Sequence, residues 1–228
     1  MSYSQQKPLN LVVISGGLNA PSKTEVLVQA LVDTLAQAIP IQTHFIKFSE
    51  IAPLFAGTIY RNQLPQQVQD DLIAVETADA LIVGTPVYRA SFTGLFKHFF
   101  DFVEQNALID VPVLLAASGG SERHALVLEH QLRPLFSFFQ AQTLPIGVYA
   151  TDRDFSSEYT IQSETLQDRI HLAVTRALPV LQWSVAKRQD TKTSQNLETD
   201  QQIKHQEISS FSVEASLPHP NRVKTQVA

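Results

Sequence analysis

Hydrophobic and polar positions follow two patterns that alternate along most of the chain. Short, almost unbroken apolar runs predict strands at 9–14, 41–48, 80–84, 111–117 and 144–149. Between and after them, apolar residues with helical spacing predict helices at 22–38, 65–77, 91–104, 121–140 and 163–185. In the first helix, Leu27, Leu31 and Leu35 lie on one face. The chain is therefore expected to contain five strand–helix units.

Strands that lack polar alternation suit a parallel sheet, because helices cover such a sheet on both faces. Five strand–helix units of this kind predict an α/β, flavodoxin-like, doubly wound sheet of five parallel strands in the order 2-1-3-4-5. Ligands bind outside the carboxyl ends of the strands in these sheets, where the strand order reverses. The loops after the first, third and fourth strands are therefore expected to carry functional residues.

The hydrophobic pattern ends near residue 187. Residues 188–228 contain no glycine, few apolar residues and many Gln, Ser and Thr. Such a composition cannot bury enough apolar surface to offset the entropy lost on ordering. We predict a domain at 1–187 and a polar, mostly disordered tail at 188–228, within which only 203–213 could form a short docked element.

Charge and composition exclude several classes of function. A chain of 228 residues with 44% hydrophobic residues can build one good-sized core. The net charge of -5 and the isoelectric point near 5.8 argue against nucleic-acid or anionic-membrane partners. The chain shows neither an apolar run long enough to span a membrane nor a signal peptide. We therefore expect a cytoplasmic protein.

The absence of cysteine excludes disulfides, thiolate nucleophiles and iron–sulfur clusters. The seven histidines lack the spacing of metal ligands, so no metal site is predicted. If the protein performs redox chemistry, an organic cofactor must carry the electrons.

The loop at 15–25 has the features of a phosphate site. It follows the first strand, contains Gly17 and leads through Ser22, Lys23 and Thr24 into a helix. Hydroxyls, bare backbone and the first N–H groups of a helix hold a phosphate monoester well, which points to flavin mononucleotide (FMN). Ser22 and Glu25 also form the pattern of a capping box, in which Ser22 would only cap its helix.

The third strand ends in a turn stiffened by Pro86, after which Tyr88 offers a flat face with a polar tip. Such a face suits the isoalloxazine ring of a flavin. Alternatively, Tyr88 covers the sheet in an ordinary turn. After the fourth strand, Gly119 and Gly120 let bare backbone approach a planar ligand, although a plain glycine turn has the same pattern.

Pro134 lies inside the apolar pattern of the fourth predicted helix. A proline lacks the N–H that would bond to the carbonyl four residues earlier, which belongs to His130. The break favours a bend or a π-bulge at His130, a feature that often marks functional sites. Alternatively, His130 is a surface histidine beside an ordinary kink.

The segment at 85–98, which begins Thr-Pro-Val-Tyr-Arg, resembles the most diagnostic part of the NADPH-dependent FMN reductase family. The segments at 118–126 and 132–135 are also similar to that family. The nearest branch is the flavin reductases of alkanesulfonate and methanesulfonate monooxygenase systems. The resemblance covers 9–182, and it implies that His130 is an inserted residue linked to subunit contacts and to exchangeable flavin.

The resemblance implies that the phosphate loop holds the FMN phosphate, that the third loop lines the isoalloxazine and that the fourth contacts its pyrimidine edge. Carried over to this chain, the cofactor-binding residues are Gly17, Ser22, Lys23, Thr24, Thr85, Pro86, Val87, Tyr88, Ser118, Gly119 and Gly120. One departure is Ala20, where the family often has Arg. Lys23 can supply charge but not a bidentate fork, which predicts weaker phosphate binding.

The sequence thus predicts an NAD(P)H:FMN oxidoreductase that supplies reduced FMN to a partner flavin-dependent monooxygenase, acting on a sulfonate, and that forms a homodimer or homotetramer. NADPH is the expected coenzyme, with NADH possible, and Arg89 and Arg123 are candidates for its phosphates unless they are solvated surface residues. No catalytic side chain is predicted, because hydride passes directly between cofactors. The alternatives are a quinone or azo reductase with tightly bound FMN, and an electron carrier without turnover.

Overall fold

The structure is a computed structural model that describes residues 7–186. The predicted tail at 188–228 therefore lies outside the described residues. The strands are β1 (Leu9–Ser15), β2 (Ile41–Lys47), β3 (Ala80–Pro86), β4 (Pro112–Gly119), β5 (Gln142–Thr143) and β6 (Val148–Thr151). The helices are α1 (Lys23–Ala36), α2 (Phe48–Phe55), α3 (Gln66–Glu76), α4 (Gly94–Phe100), α5 (Arg133–Phe138) and α6 (164–186).

All named strands pair in parallel, in the order β2-β1-β3-β4, and both β5 and β6 pair with β4. The order reverses between β1 and β3, because the chain adds β2 on one side of β1 and β3 on the other. This arrangement confirms the predicted doubly wound, flavodoxin-like sheet. It also places the switch point at the carboxyl ends of β1 and β3.

The predicted strand at 144–149 is wrong in its extent. The outer strand is split into β5 and β6. Leu144 still donates its N–H to the carbonyl of Val113, and the residues after it leave the strand. Pro145 lies in this gap and has no N–H to donate. Instead, Arg133 donates a hydrogen bond to the carbonyl of Leu144, and Arg169 donates two to the carbonyl of Gly147. These side chains replace the missing ladder bonds, so the split leaves both carbonyls satisfied.

Helices cover both faces of the sheet, as the apolar strands predict. On one face, α1 and α6 pack on the sheet through residues such as Leu27 and Leu166. On the other face, α2, α3, α4 and α5 form a core that contains Phe48, Phe96 and Phe136. The fully buried strand interiors follow from this double cover.

Three helical predictions need correction. The sequence pattern missed α2, an eight-residue helix with Pro53 inside it, which is held by ring contacts of Phe48 and Phe55 with the core. The helix predicted at 91–104 is shorter, because Thr93 caps its start by accepting a hydrogen bond from the N–H of Phe96. The helix predicted at 121–140 is broken into a 3-10 turn, a π-helical turn and α5.

Candidate functional site

A cleft of about 270 Å³ opens at the carboxyl ends of β1, β3 and β4. The loops that follow these strands form its walls, as expected for a switch point. Ten of the eleven predicted cofactor-binding residues line it, namely Gly17, Ser22, Lys23, Thr24, Pro86, Val87, Tyr88, Ser118, Gly119 and Gly120. The fold thus brings together three loops that are far apart in the sequence.

Thr85 does not line the cleft. Its side chain is fully buried, and its hydroxyl donates a hydrogen bond to the carbonyl of Pro86. Successive side chains of a strand point to opposite faces, so Thr85 turns inward at the strand end while its neighbours reach the loop. The Thr85 hydroxyl therefore has a structural partner within the chain.

Ser22 serves both as a helix cap and as part of the cleft. Its hydroxyl accepts a hydrogen bond of 3.3 Å from the N–H of Glu25 at the start of α1. The carboxylate of Glu25 does not complete a capping box, because it pairs with Lys47 at 2.7 Å. A Cβ atom at Gly17 would overlap the Ser22 hydroxyl, so this glycine lets the loop close over Ser22.

A buried hydrogen bond joins the start of α1 to the carboxyl end of β4 at the cleft. The hydroxyls of Thr24 and Ser118 lie 2.7 Å apart, and both side chains are almost fully buried. Each buried hydroxyl has the other as its hydrogen-bond partner, so neither bears the cost of a buried polar group without a hydrogen bond. This bond therefore holds α1 and the end of β4 at a constant separation on the floor of the cleft.

Lys23 does not stand alone in the cleft. Its ammonium group forms an ion pair of 2.8 Å with Asp152, which follows β6 and also lines the cleft. The positive charge of Lys23, at the loop after β1, is therefore partly balanced by a carboxylate of the same chain. Sequence reasoning missed Asp152 and Tyr159, which also line the cleft. The predicted outer strand ended at 149, whereas β6 ends at Thr151, so the loop after this strand was not recognised as part of the site.

The loop after β3 presents Tyr88 at the mouth of the cleft. The N–H of Val87 donates to the carbonyl of Ser118, which ties this loop to β4. Tyr88 and Ser91 then close a two-residue turn in which Arg89 and Ala90 have positive φ angles of 50° and 70°. The side chain of Tyr88 is 45% exposed, so it does not serve as cover for the core.

The loop after β4 rests on Tyr149 of β6. The Tyr149 hydroxyl donates a hydrogen bond of 2.7 Å to the carbonyl of Ser121. A Cβ atom at Gly119 would overlap that hydroxyl, so only glycine allows this close approach. Burial, together with the negative charge of Asp152, raises the pKa of the Tyr149 phenol. The phenol therefore stays protonated at neutral pH and keeps its bond to the loop.

The predicted irregularity at His130 is present as a π-helical turn over Leu128–Leu132. Arg133 follows the turn and binds Glu129 through two nitrogens at 2.6 and 2.9 Å. The hydrogen bonds from Arg133 lower the pKa of Glu129, and the charge of Arg133 adds to this shift, although burial opposes it. The side chain of His130 is exposed and lines a separate groove of about 600 Å³, outside the cleft.

Residues 7–186 hold no cluster of His, Asp and Glu that could bind a metal ion, and none of their helices is long and apolar enough to cross a membrane.

Comparison with known families gives a direct match. The family described as NADPH-dependent FMN reductase matches residues 9–156. The NADH-dependent FMN reductase SfnF of Pseudomonas fluorescens is 57% identical over 76% of this chain and 92% of its own. An FMN reductase (NADPH) of Pseudomonas aeruginosa is 56% identical over the same shares of the two chains.

Solved structures with the same fold include an oxidoreductase from Corynebacterium diphtheriae, with a TM-score of 0.67 and 32% identity. The match covers 78% of this chain and 96% of that one. The apo form of an NADH:FMN oxidoreductase, EMOB, has a TM-score of 0.65 and 27% identity over 76% of this chain and 88% of its own.

Proposed function

The chain belongs to the NADPH-dependent FMN reductase family, and we propose that it reduces free FMN and hands the reduced flavin to a partner flavin-dependent monooxygenase. It is an oxidoreductase that uses FMN and NAD(P)H. The observation that carries the proposal is the convergence of the loops after β1, β3 and β4 on one cleft. The site residues, the free state of the flavin and the partner are the parts that we propose.

The side chains of the cleft suit the three parts of FMN. The Ser22 hydroxyl and the Lys23 ammonium group provide a donor and a charge for the phosphate. Bare backbone at Gly119 and Gly120 leaves room for the edge of a planar ring. Tyr88 provides a flat wall at the mouth of the cleft.

A bound flavin would supply the redox chemistry, as the hydride acceptor for the nicotinamide coenzyme. The chain contributes orientation, because this transfer needs no side-chain acid or base. The Thr24–Ser118 bond and the Tyr149–Ser121 bond hold two walls of the cleft in place. Such a preformed site reduces the entropy lost when two substrates align.

Weak phosphate binding is consistent with release of the reduced flavin. The chain has Ala20 at the position where an arginine would add a bidentate contact, and Asp152 shares the charge of Lys23. The resemblance to the flavin reductases of sulfonate monooxygenase systems supports a monooxygenase, acting on a sulfonate, as the recipient. A cytoplasmic location is part of this proposal, because the nicotinamide coenzymes that the protein would oxidise are intracellular.

The proposed function is tested with the full-length protein after gel filtration. Oxidation of NADPH and of NADH is measured with and without added FMN. We expect a colourless protein that oxidises coenzyme only when FMN is added. A protein that stays yellow and reduces quinones or azo dyes without added FMN would favour a bound prosthetic group. Absence of turnover with both coenzymes would indicate an electron carrier.

We also propose that the protein is a homodimer or homotetramer. The support is the groove beside the π-helical turn, where Phe92 and Leu135 line the wall and Phe138 is 61% exposed. An exposed apolar surface of this kind is typical of an interface. Light scattering at several concentrations measures the mass, and a strictly monomeric protein would contradict this part of the proposal.

A further inference from the structure

A second cavity lies beside the cleft and shares Gly120 with it. It has a volume of about 210 Å³ and carries two arginines, Arg123 after β4 and Arg153 after β6. Ser121, Glu122 and Thr151 complete its lining. The two guanidinium groups come from segments far apart in the sequence, so only the fold brings them to one cavity.

Both guanidinium groups are available for a ligand. In the part of the chain that the structure describes, neither Arg123 nor Arg153 forms an ion pair or a side-chain hydrogen bond. The carboxylates next to Arg153 are engaged elsewhere, because Asp152 pairs with Lys23 and Asp154 accepts two hydrogen bonds from Thr151. Two arginines against one lining carboxylate, that of Glu122, leave the cavity with net positive charge.

The backbone around both arginines is fixed. Thr151 and Asp154 form a reciprocal cap around the turn that carries Arg153. Burial opposes ionisation of Asp154, but the hydrogen bonds from Thr151 and Ser163 together outweigh it and lower the pKa of this carboxyl. On the other side, the Tyr149 hydroxyl binds the carbonyl of Ser121, two residues before Arg123. The segments that carry Arg123 and Arg153 are therefore anchored by contacts that do not involve the guanidinium groups.

We propose that Arg123 and Arg153 bind the phosphate groups of the nicotinamide coenzyme. This inference rests on the proposed function, in which the nicotinamide ring lies against a flavin in the cleft. The rest of the coenzyme must then leave the cleft, and the cavity adjoins it at Gly120. Guanidinium forks match phosphate oxygens bidentately, and the phosphate of FMN has its own loop at Ser22 and Lys23.

The test compares Arg123→Ala, Arg153→Ala and the double variant with the parent enzyme at saturating FMN. Arg176→Ala is the matched control, because Arg176 is exposed on α6 and lines neither cavity. We expect each single variant to raise the coenzyme KM about tenfold, the size of one charge-assisted hydrogen bond. The KM for FMN and the kcat should stay near parent values, and Arg123→Lys should recover part of the loss.

Measurements with both coenzymes distinguish the phosphate involved. A loss confined to NADPH assigns the arginines to its 2′-phosphate, and an equal loss for NADPH and NADH assigns them to the pyrophosphate. Coenzyme KM values unchanged in the double variant, or a rise only in the KM for FMN, would overturn the inference. Calorimetric binding of NADP⁺ to the parent and the double variant decides the question even if the parent shows no turnover with FMN.

Discussion

The Ser22 hydroxyl caps a helix and, in the proposed function, also contacts the FMN phosphate. It caps α1 through the N–H of Glu25 and also lines the cleft. A cap of this kind contributes about 0.5–2 kcal/mol to stability. Stability measurements alone therefore cannot separate its two tasks, and a comparison of two flavins is needed.

We expect Ser22→Ala to weaken the binding of FMN about tenfold and that of riboflavin much less, because riboflavin lacks the phosphate. Flavin fluorescence titration measures both constants. Thr93→Ala is the control, since Thr93 caps α4 in the same way but lies outside the cleft. Equal losses for both flavins would reduce Ser22 to a helix cap.

The role of Tyr88 can be tested by removing its ring. The side chain is 45% exposed, so Tyr88→Ala should leave the unfolding midpoint nearly unchanged. Loss of ring stacking of about 1–3 kcal/mol should raise the KM for FMN roughly fivefold to a hundredfold. Tyr88→Phe keeps the ring and should behave like the parent. An unstable Tyr88→Ala variant with parent flavin kinetics would show that Tyr88 supports the fold instead.

Among the secondary-structure elements, the π-helical turn is linked by a hydrogen bond to the loop that carries Tyr88. Ser91, which closes the turn after Tyr88, donates a hydrogen bond of 3.0 Å to Gln131 in the π-helical turn. The register of this turn therefore sets the position of Gln131, and through Ser91 it supports the loop that carries Tyr88. The π-helical turn can thus affect the shape of the cleft although none of its residues lines the cleft.

The resemblance implies that His130 is an inserted residue, and on that basis we predict that deleting it restores regular helical register after Leu128. Gln131 and the groove residues would then turn to new positions, and Pro134 would still leave a kink. We expect the deletion to convert an enzyme that exchanges FMN into one that retains yellow FMN. Flavin absorbance after gel filtration and turnover on free FMN measure this change.

The matched control is His130→Ala, which keeps the residue count and so should keep the π-helical turn. It is expected to remain colourless and active. If the deletion variant also stays colourless and reduces free FMN at the parent rate, the π-helical turn has no influence on flavin retention.

The stability of the whole molecule should respond to pH through a buried carboxylate that links β2 to α3. Asp71 is 7% exposed and lies 2.7 Å from the Nε2 atom of His44. Burial raises the pKa of Asp71 above 3.8, although the hydrogen bond with His44 opposes the shift. The folded protein therefore keeps this proton at pH values where the unfolded chain has lost it.

The sign of the pH effect follows from this difference. The stabilisation from protonated Asp71 is complete below the usual carboxyl pKa and disappears as pH rises through the raised value. Asp71→Asn removes this loss, so its free energy of unfolding should gain on that of the parent from about pH 4 upward and then level off. Urea unfolding across this range measures it.

Asp168→Asn, at an exposed position on α6, is the control for removing one carboxylate. If the stability of Asp71→Asn instead falls behind that of the parent as pH rises, the contact with His44 outweighs the cost of burial.

Features that depend on local chemistry could be predicted from the order of the amino acids. Apolar runs predicted the parallel, doubly wound sheet, because burial on both faces leaves a continuous hydrophobic signature. The resemblance to the flavin reductases, carried over residue by residue, identified ten residues of the cleft. Loop composition by itself indicated only its glycines, hydroxyl side chains and Tyr88, since such residues are needed where backbone approaches a phosphate or a ring. Pro134 indicated the irregular turn at His130, because a missing N–H is visible without any coordinates.

Features that depend on contacts between distant segments became visible only in the folded chain. It buried Thr85, paired Lys23 with Asp152, and placed Arg153 in the same cavity as Arg123. It also formed α2, which ring packing against the core stabilises despite a weak local pattern. Such contacts join residues up to about 130 positions apart, and no local pattern encodes which side chains will meet.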